Sequence, residues 1–175
     1  MRRLTVLVTA TALLAAAPTA SLPVLDQWLS FVDPHSCEAS EQLNTFLHSV
    51  SIWDESSTKM RIGKLDVPAA YQAFVGKPTL SSKGFEHTFT IPIKGTWHGL
   101  PMHSIVVFER EESEGGFQFV FNAPPSAVRE VVNQQGFNVP RSGWRDPDDG
   151  ADIVIGVFIG VSRYNGRGSL NCFVG

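Results

Sequence analysis

The stretch "HTFTIPIKGTWHGLPMHSIVVFE", His87 to Glu109, decides how the chain folds. In its first half Phe89, Ile91, Ile93 and Trp97 alternate with Thr88, Thr90, Lys94 and Thr96. Successive side chains of a strand point to opposite faces, so this period of two predicts one long strand from Glu86 with a single apolar face. Pro92 has no N–H to offer a ladder, which places the strand at a sheet edge or puts a bulge there. A second strand, Met102 to Glu111, carries Val106 and Phe108; a third, Gly116 to Asn122, carries Phe117, Phe119 and Phe121. The acidic "EESEGG" between them reads as a solvated turn.

Turn lengths set the expected register. A first loop of two or four residues puts His98 opposite His103, Trp97 opposite Ser104 and Ile93 opposite Phe108. A four-residue loop at Glu112 to Gly115 puts Phe108 opposite Phe119 and Val106 opposite Phe121. Both pairings gather Trp97, Ile93, Val106, Phe108 and the three phenylalanines on one face, and a slip of one residue would divide them.

Working outward, Asp33-Pro34 is an N-cap followed by proline at the first helical position, and Leu43, Phe46, Leu47 and Val50 recur at helical spacing. A helix is expected from about Pro34 to Ser49, with Cys37 in its first turns. A shorter one is expected from Val67 to Val75, capped by Asp66 and stopped by Gly76, with a strand from Met60 to Leu65 between them. In "APPSAVREVVNQQGF", Ser126 starts a helix, Val128, Val131 and Val132 form its stripe, and Gly136 with Phe137 makes a Schellman stop. "DIVIGVFIGV", from Asp152, is apolar on both sides and reads as a central buried strand. Gly156 and Gly160 share its face with Val154 and Phe158, which predicts close packing of an aromatic there. The last strand, Ser169 to Val174, puts Leu170, Cys172 and Val174 on one face. The expected class is α+β: a mainly antiparallel sheet, made of a three-strand meander plus two C-terminal strands, with helices packed on one face as a two-layer sandwich.

The opening "MRRLTVLVTATALLAAAPTAS" has two arginines, an uncharged apolar run from Leu4 to Ala17, then small residues. That is the layout of a cleaved secretory signal, residues 1–20, and the run is too short for a bilayer span of roughly 20 apolar residues. Residues 21–175 are then expected to form a single secreted or periplasmic domain with no membrane anchor. Loss of Arg2 and Arg3 moves the formal charge from −3 to −5. A mildly acidic chain with scattered basic residues argues against nucleic acid as a partner. Two cysteines remain, Cys37 and Cys172, and in an oxidising compartment they are expected to pair.

Chemistry is sparse. If His98 and His103 face each other, their Cβ atoms lie about 4.5 to 5.5 Å apart, within reach of one metal ion. A catalytic zinc wants three protein ligands, and His35, His48, His87 and several acidic residues offer themselves as the third with no spacing that selects one. The pair is therefore read first as a hairpin tip, and no metal or cofactor is expected. "DPDDGAD", Asp146 to Asp152, departs from a calcium loop because Pro147 intervenes and Gly150 comes a position early, so it reads as turn chemistry. Ser162 lacks the second glycine of a nucleophile elbow, Tyr164 standing in its place. The expected function is a secreted non-enzymatic module that binds a small molecule or protein, with His98, His103, Leu100 and Met102 as candidate binding residues. The rivals are a small hydrolase or metal-dependent enzyme using His98 and His103, and an inhibitor or structural protein presenting the Gly99 to Met102 tip.

Overall fold

A computed structural model describes residues 21–110, 115–146 and 157–174. Strands β1 (Phe31–Asp33) and β2 (Glu38–Ala39) pair with each other and precede α1 (Glu41–Ser49). A separate hairpin follows, β3 (Ser51–Asp54) with β4 (Lys59–Ile62). The main sheet contains β5 (Thr79–Lys83), β6 (Glu86–Pro92), β7 (Thr96–Trp97), β8 (Leu100–Arg110) and β9 (Gly115–Phe121). After α2 (Pro125–Gln134) it is completed by β10 (Trp144–Arg145), β11 (Val157–Tyr164) and β12 (Arg167–Val174). Its order is β10-β11-β12-β9-β8-β6-β5, every pairing antiparallel, with β7 attached to β8. Strand outweighs helix by 47% to 18%, and the class is broadly α+β.

The helix expected from Pro34 is interrupted. Asp33 does cap, accepting from the His35 N–H at 2.9 Å, but only the 3-10 turn Pro34–Ser36 follows. Cys37 ends that turn in the left-handed region, φ +56, so the chain reverses into β2. Ser40, accepting from the Leu43 N–H, caps α1 itself. Cys37 therefore sits on a turn rather than in a helix, and it reaches Cys172 across a Cα separation of 6.0 Å. The disulfide expected from two cysteines is present. The helix expected at Val67 to Val75 shrinks to the 3-10 turn Gln72–Phe74, which has no side-chain cap and buries no residue of its own. The strand expected at Met60 is β4, beginning one residue earlier.

The strand predicted from Glu86 differs from expectation in extent and in register. It does not run unbroken to Trp97: β6 stops at Pro92, the chain steps across Ile93 to Gly95, and β7 begins at Thr96. Pro92 lies beyond the reach of β5, whose ladder ends at Thr79 opposite Thr90, so its missing N–H breaks no rung on that side. The register also differs. Trp97 pairs with Leu100 around a two-residue turn at His98-Gly99, and Ile91 pairs with Ile105 and Thr88 with Phe108. On the other side Ile105 faces Phe119 and Val106 faces Gln118. The core face is thus built from Phe89, Ile91, Ile105, Val107, Phe117 and Phe119, while Val106 and Phe108 point the other way.

Beyond them Leu170 and Cys172 of β12 continue the same rows, joined by Ile159 and Val161 of β11. Leu43 and Phe46 of α1 and Val128 and Val132 of α2 belong to this one core cluster. The α2 end is the expected Schellman stop: the Phe137 N–H donates to Val132 O and the Gly136 N–H to Asn133 O, with Gly136 at φ +97. Asn133 then holds the following loop by donating to Val139 O and accepting from its N–H.

The strand expected to be central is next to the edge: β11 has β12 on one side and only the two-residue β10 on the other. The central place belongs to β12 and β9. Gly160 is packed as predicted, because a Cβ there would come within 2.4 Å of the Trp144 ring. Phe158 is exposed, and Val154 and Gly156 lie outside the described residues, as do the expected signal segment and most of the acidic "DPDDGAD" loop.

The segment from Pro23 to Leu29 forms a strap over the β7–β8 hairpin. Its backbone exchanges hydrogen bonds with Thr96 (Leu25 N–H to Thr96 O, 2.8 Å; Thr96 N–H to Pro23 O, 2.9 Å), and Trp97 Nε1–H donates to Leu29 O at 2.8 Å. Leu25, Trp28 and Leu29 enter the core, with Trp28 edge-on to Phe46 and stacked on Tyr71.

Candidate functional site

The two histidines of the opening stretch are not opposite one another. His98 and Gly99 are the central residues of the turn, both in the left-handed region at φ +44 and +80, which makes it type I′. The His98 N–H donates to Asp26 Oδ1 at 2.7 Å, its Nδ1 lies 3.5 Å from Asp26 Oδ2, and its ring stands edge-on to Trp97. His98 is a fastener between hairpin and strap. A β-carbon on Gly99 would meet nothing within 4 Å, so Gly99→Ala is expected to cost about 1 kcal/mol from backbone strain alone. Urea midpoints measure this; no loss of stability would contradict the type I′ turn.

His103 belongs elsewhere. Met102 pairs with Phe121 and Ser104 with Val120, so His103 is the extra residue of a β-bulge in β8. Bulges re-aim side chains and recur beside functional sites. The opposing strand is interrupted at the same level, where Ile93 N–H donates to His103 O at 3.2 Å. Phe74 to Gly76 close the opening from outside, through Lys94 N–H to Phe74 O at 2.9 Å and Gly76 N–H to Pro92 O at 2.8 Å.

Break, bulge and outer segment enclose a hollow of about 420 Å³. Phe74, Val75, Pro92, Ile93 and Met102 give it apolar walls, and Lys94, His103 and Asn122 add polar groups. Asn122 Nδ2 donates to Met102 O at 3.3 Å, and its Oδ1 accepts from Arg167 Nε at 2.9 Å. Partial burial holds the His103 pKa below the ordinary histidine range, and the positive charge of Arg167 adds to the effect.

Of the four candidate binding residues, His103 and Met102 line this hollow. Leu100 and Met102 are both buried in the core cluster, so neither forms an apolar tip. His98 is engaged with Asp26. Among the described residues no three metal-ligating side chains converge, and the three further histidines are dispersed. The His35 carbonyl accepts from Arg145, His48 Nδ1 meets Asn44 O at 2.8 Å, and His87 lies at the opposite end of β6.

That opposite end carries a second cluster. Ser82, His87 and Glu109 occupy one cross-strand row, with Ser82 Oγ 2.8 Å from His87 Nδ1. The Glu109 carboxylate is taken by the Ser51 hydroxyl instead, beside a groove of about 350 Å³ that is also lined by His48 and Cys37. The row lacks the acid–histidine contact that would orient the imidazole as a base.

Sequence reasoning missed Lys94, Asn122 and Arg167. Lys94 had a signal: "PIKG" interrupts the alternation around it. Asn122 and Arg167 are 45 residues apart and meet only because β9 pairs with β12. Comparison of the chain with protein-family models, curated proteins and solved structures returns no match. The chemistry of the site is therefore read from its own geometry.

Proposed function

We propose that the chain is an exported, non-enzymatic binding module whose hollow beside His103 takes a small molecule with an apolar body. The observation that carries this reading is the hollow itself. Its volume falls within the range of small-molecule sites, and it combines apolar walls with a few convergent polar groups, as such sites do. Export is supported by the apolar N-terminal segment read from the sequence and by the Cys37–Cys172 bridge. No described helix is long and apolar enough to cross a membrane. We also read the architecture as two layers, because both helices and the strap share one core with a single face of the sheet.

Decanoate and its uncharged counterpart decanol probe the hollow. At least one of them is expected to raise the thermal midpoint of the wild-type protein in a dose-dependent way, as any ligand of the native state must. Ala73→Trp, at an exposed position on the rim, should abolish that shift by filling the space. The reading fails if neither probe moves the midpoint, or if the rim variant binds as well as the wild type.

A further inference from the structure

We propose that the ligand of the hollow carries a carboxylate, held by Arg167 and Lys94 at the His103 rim; this rests on the binding reading above. Arg167 is half-buried, and no described carboxylate forms an ion pair with it. Taking a guanidinium partly out of water without a counter-charge is unfavourable, so such a group is stabilised by an anion brought from outside. Its only described hydrogen bond uses Nε, donated to Asn122 Oδ1. Asn122 is in turn fixed by its own donation to Met102 O, which makes it a positioning residue for the guanidinium. Arg167 stands behind the lining of the hollow and meets it through Asn122, which does line it; its terminal nitrogens make no described hydrogen bond, and a guanidinium matches a carboxylate with two parallel N–H···O bonds.

The rest of the site agrees in sign. Lys94 lines the hollow from an exposed position, and no Asp or Glu is among the described lining residues. Local positive charge without acids stands out in a chain whose formal charge is −3. The apolar walls of Phe74, Pro92, Ile93 and Met102 favour a ligand with a hydrocarbon body over a small inorganic anion. A monocarboxylate with an aliphatic or aromatic body suits both the cationic and the apolar groups of the site.

Isothermal titration with decanoate and decanol separates this inference from the one it rests on. Decanoate is expected to bind the wild type at least about tenfold more tightly than decanol, the scale of a charge-assisted hydrogen bond. Arg167→Met should remove most of that preference. Because Arg167→Met also loses the bond to Asn122, Lys94→Met, at an exposed position, serves as a second variant and should also lower the preference for decanoate over decanol. Equal affinity for the two probes overturns the carboxylate assignment and leaves the binding module standing. Decanoate binding that survives both substitutions overturns it as well. Silence from both probes overturns both readings.

Discussion

Removing the Cys37–Cys172 bridge, by reduction or by joint Cys37→Ala and Cys172→Ala substitution, is expected to cost about 5 kcal/mol of unfolding free energy in the chain-entropy view. The cause lies in the unfolded state. The bridge closes a loop across a sequence separation of 135, and opening it restores conformational freedom to nearly the whole described domain. The native side adds a smaller loss in the alanine variant, because Cys172 is buried between Phe117 and Ile159 on neighbouring strands, and a smaller side chain leaves space there. Urea unfolding with and without a thiol reductant measures the difference, and thiol titration under denaturing conditions establishes that the bond has opened. A fully reduced protein with an unchanged midpoint would contradict the expected stabilisation.

Trp97→Ala is expected to cost about 3 to 5 kcal/mol, the range for deleting a large buried ring. Trp97 is almost fully buried and packs against Phe119, Phe121 and Phe31. Its Nε1–H is also the side-chain bond from the hairpin to the strap, and losing it leaves Leu29 O without that donor. Trp97→Phe separates the two contributions: it keeps an aromatic ring and removes the bond, so it should fall between wild type and alanine. Denaturant midpoints for the three proteins check the order. A Trp97→Ala loss below about 1 kcal/mol, typical of surface positions, would mean that the ring is not a core residue.

The elements that were legible in the sequence are those with one dominant local signal. Two cysteines permitted one intramolecular bridge, and "NQQGF" specified a Schellman stop. Phe89 and Ile91 declared their face through clean alternation with threonine. The register was not legible, because "IVVF" at Ile105 to Phe108 is apolar at four consecutive positions and fits either phase. The turn decided the phase. Glycine following His98 favours a two-residue I′ turn there, whereas the expected pairing centred the loop on Leu100 and Pro101. The bulge at His103 then shifted the phase once more, a local event with no compositional mark. The N-terminal helix was misplaced because two caps compete: Asp33-Pro34 opens a turn and Ser40 opens the helix. His103 and Met102 stand out in the sequence, but their partners come from other parts of the chain and meet them only through strand pairing.

The strap has a consequence for the order of events in folding. Its anchors on the hairpin are 68 and 72 residues away along the chain, from Leu29 to Trp97 and from Asp26 to His98. The closed His98-Gly99 turn sets the direction of the His98 N–H and of the Trp97 indole, so these two anchors depend on it, whereas the backbone bonds of Pro23 and Leu25 to Thr96 do not involve the turn residues. Local hairpin closure takes microseconds, whereas contacts at long sequence separation place a protein among the slower two-state folders. On these timescales the turn is expected to close before the strap docks. Trp28 rides on the strap and packs against Phe46 and Tyr71, so burial of its indole is expected to report when the N-terminal segment reaches the core.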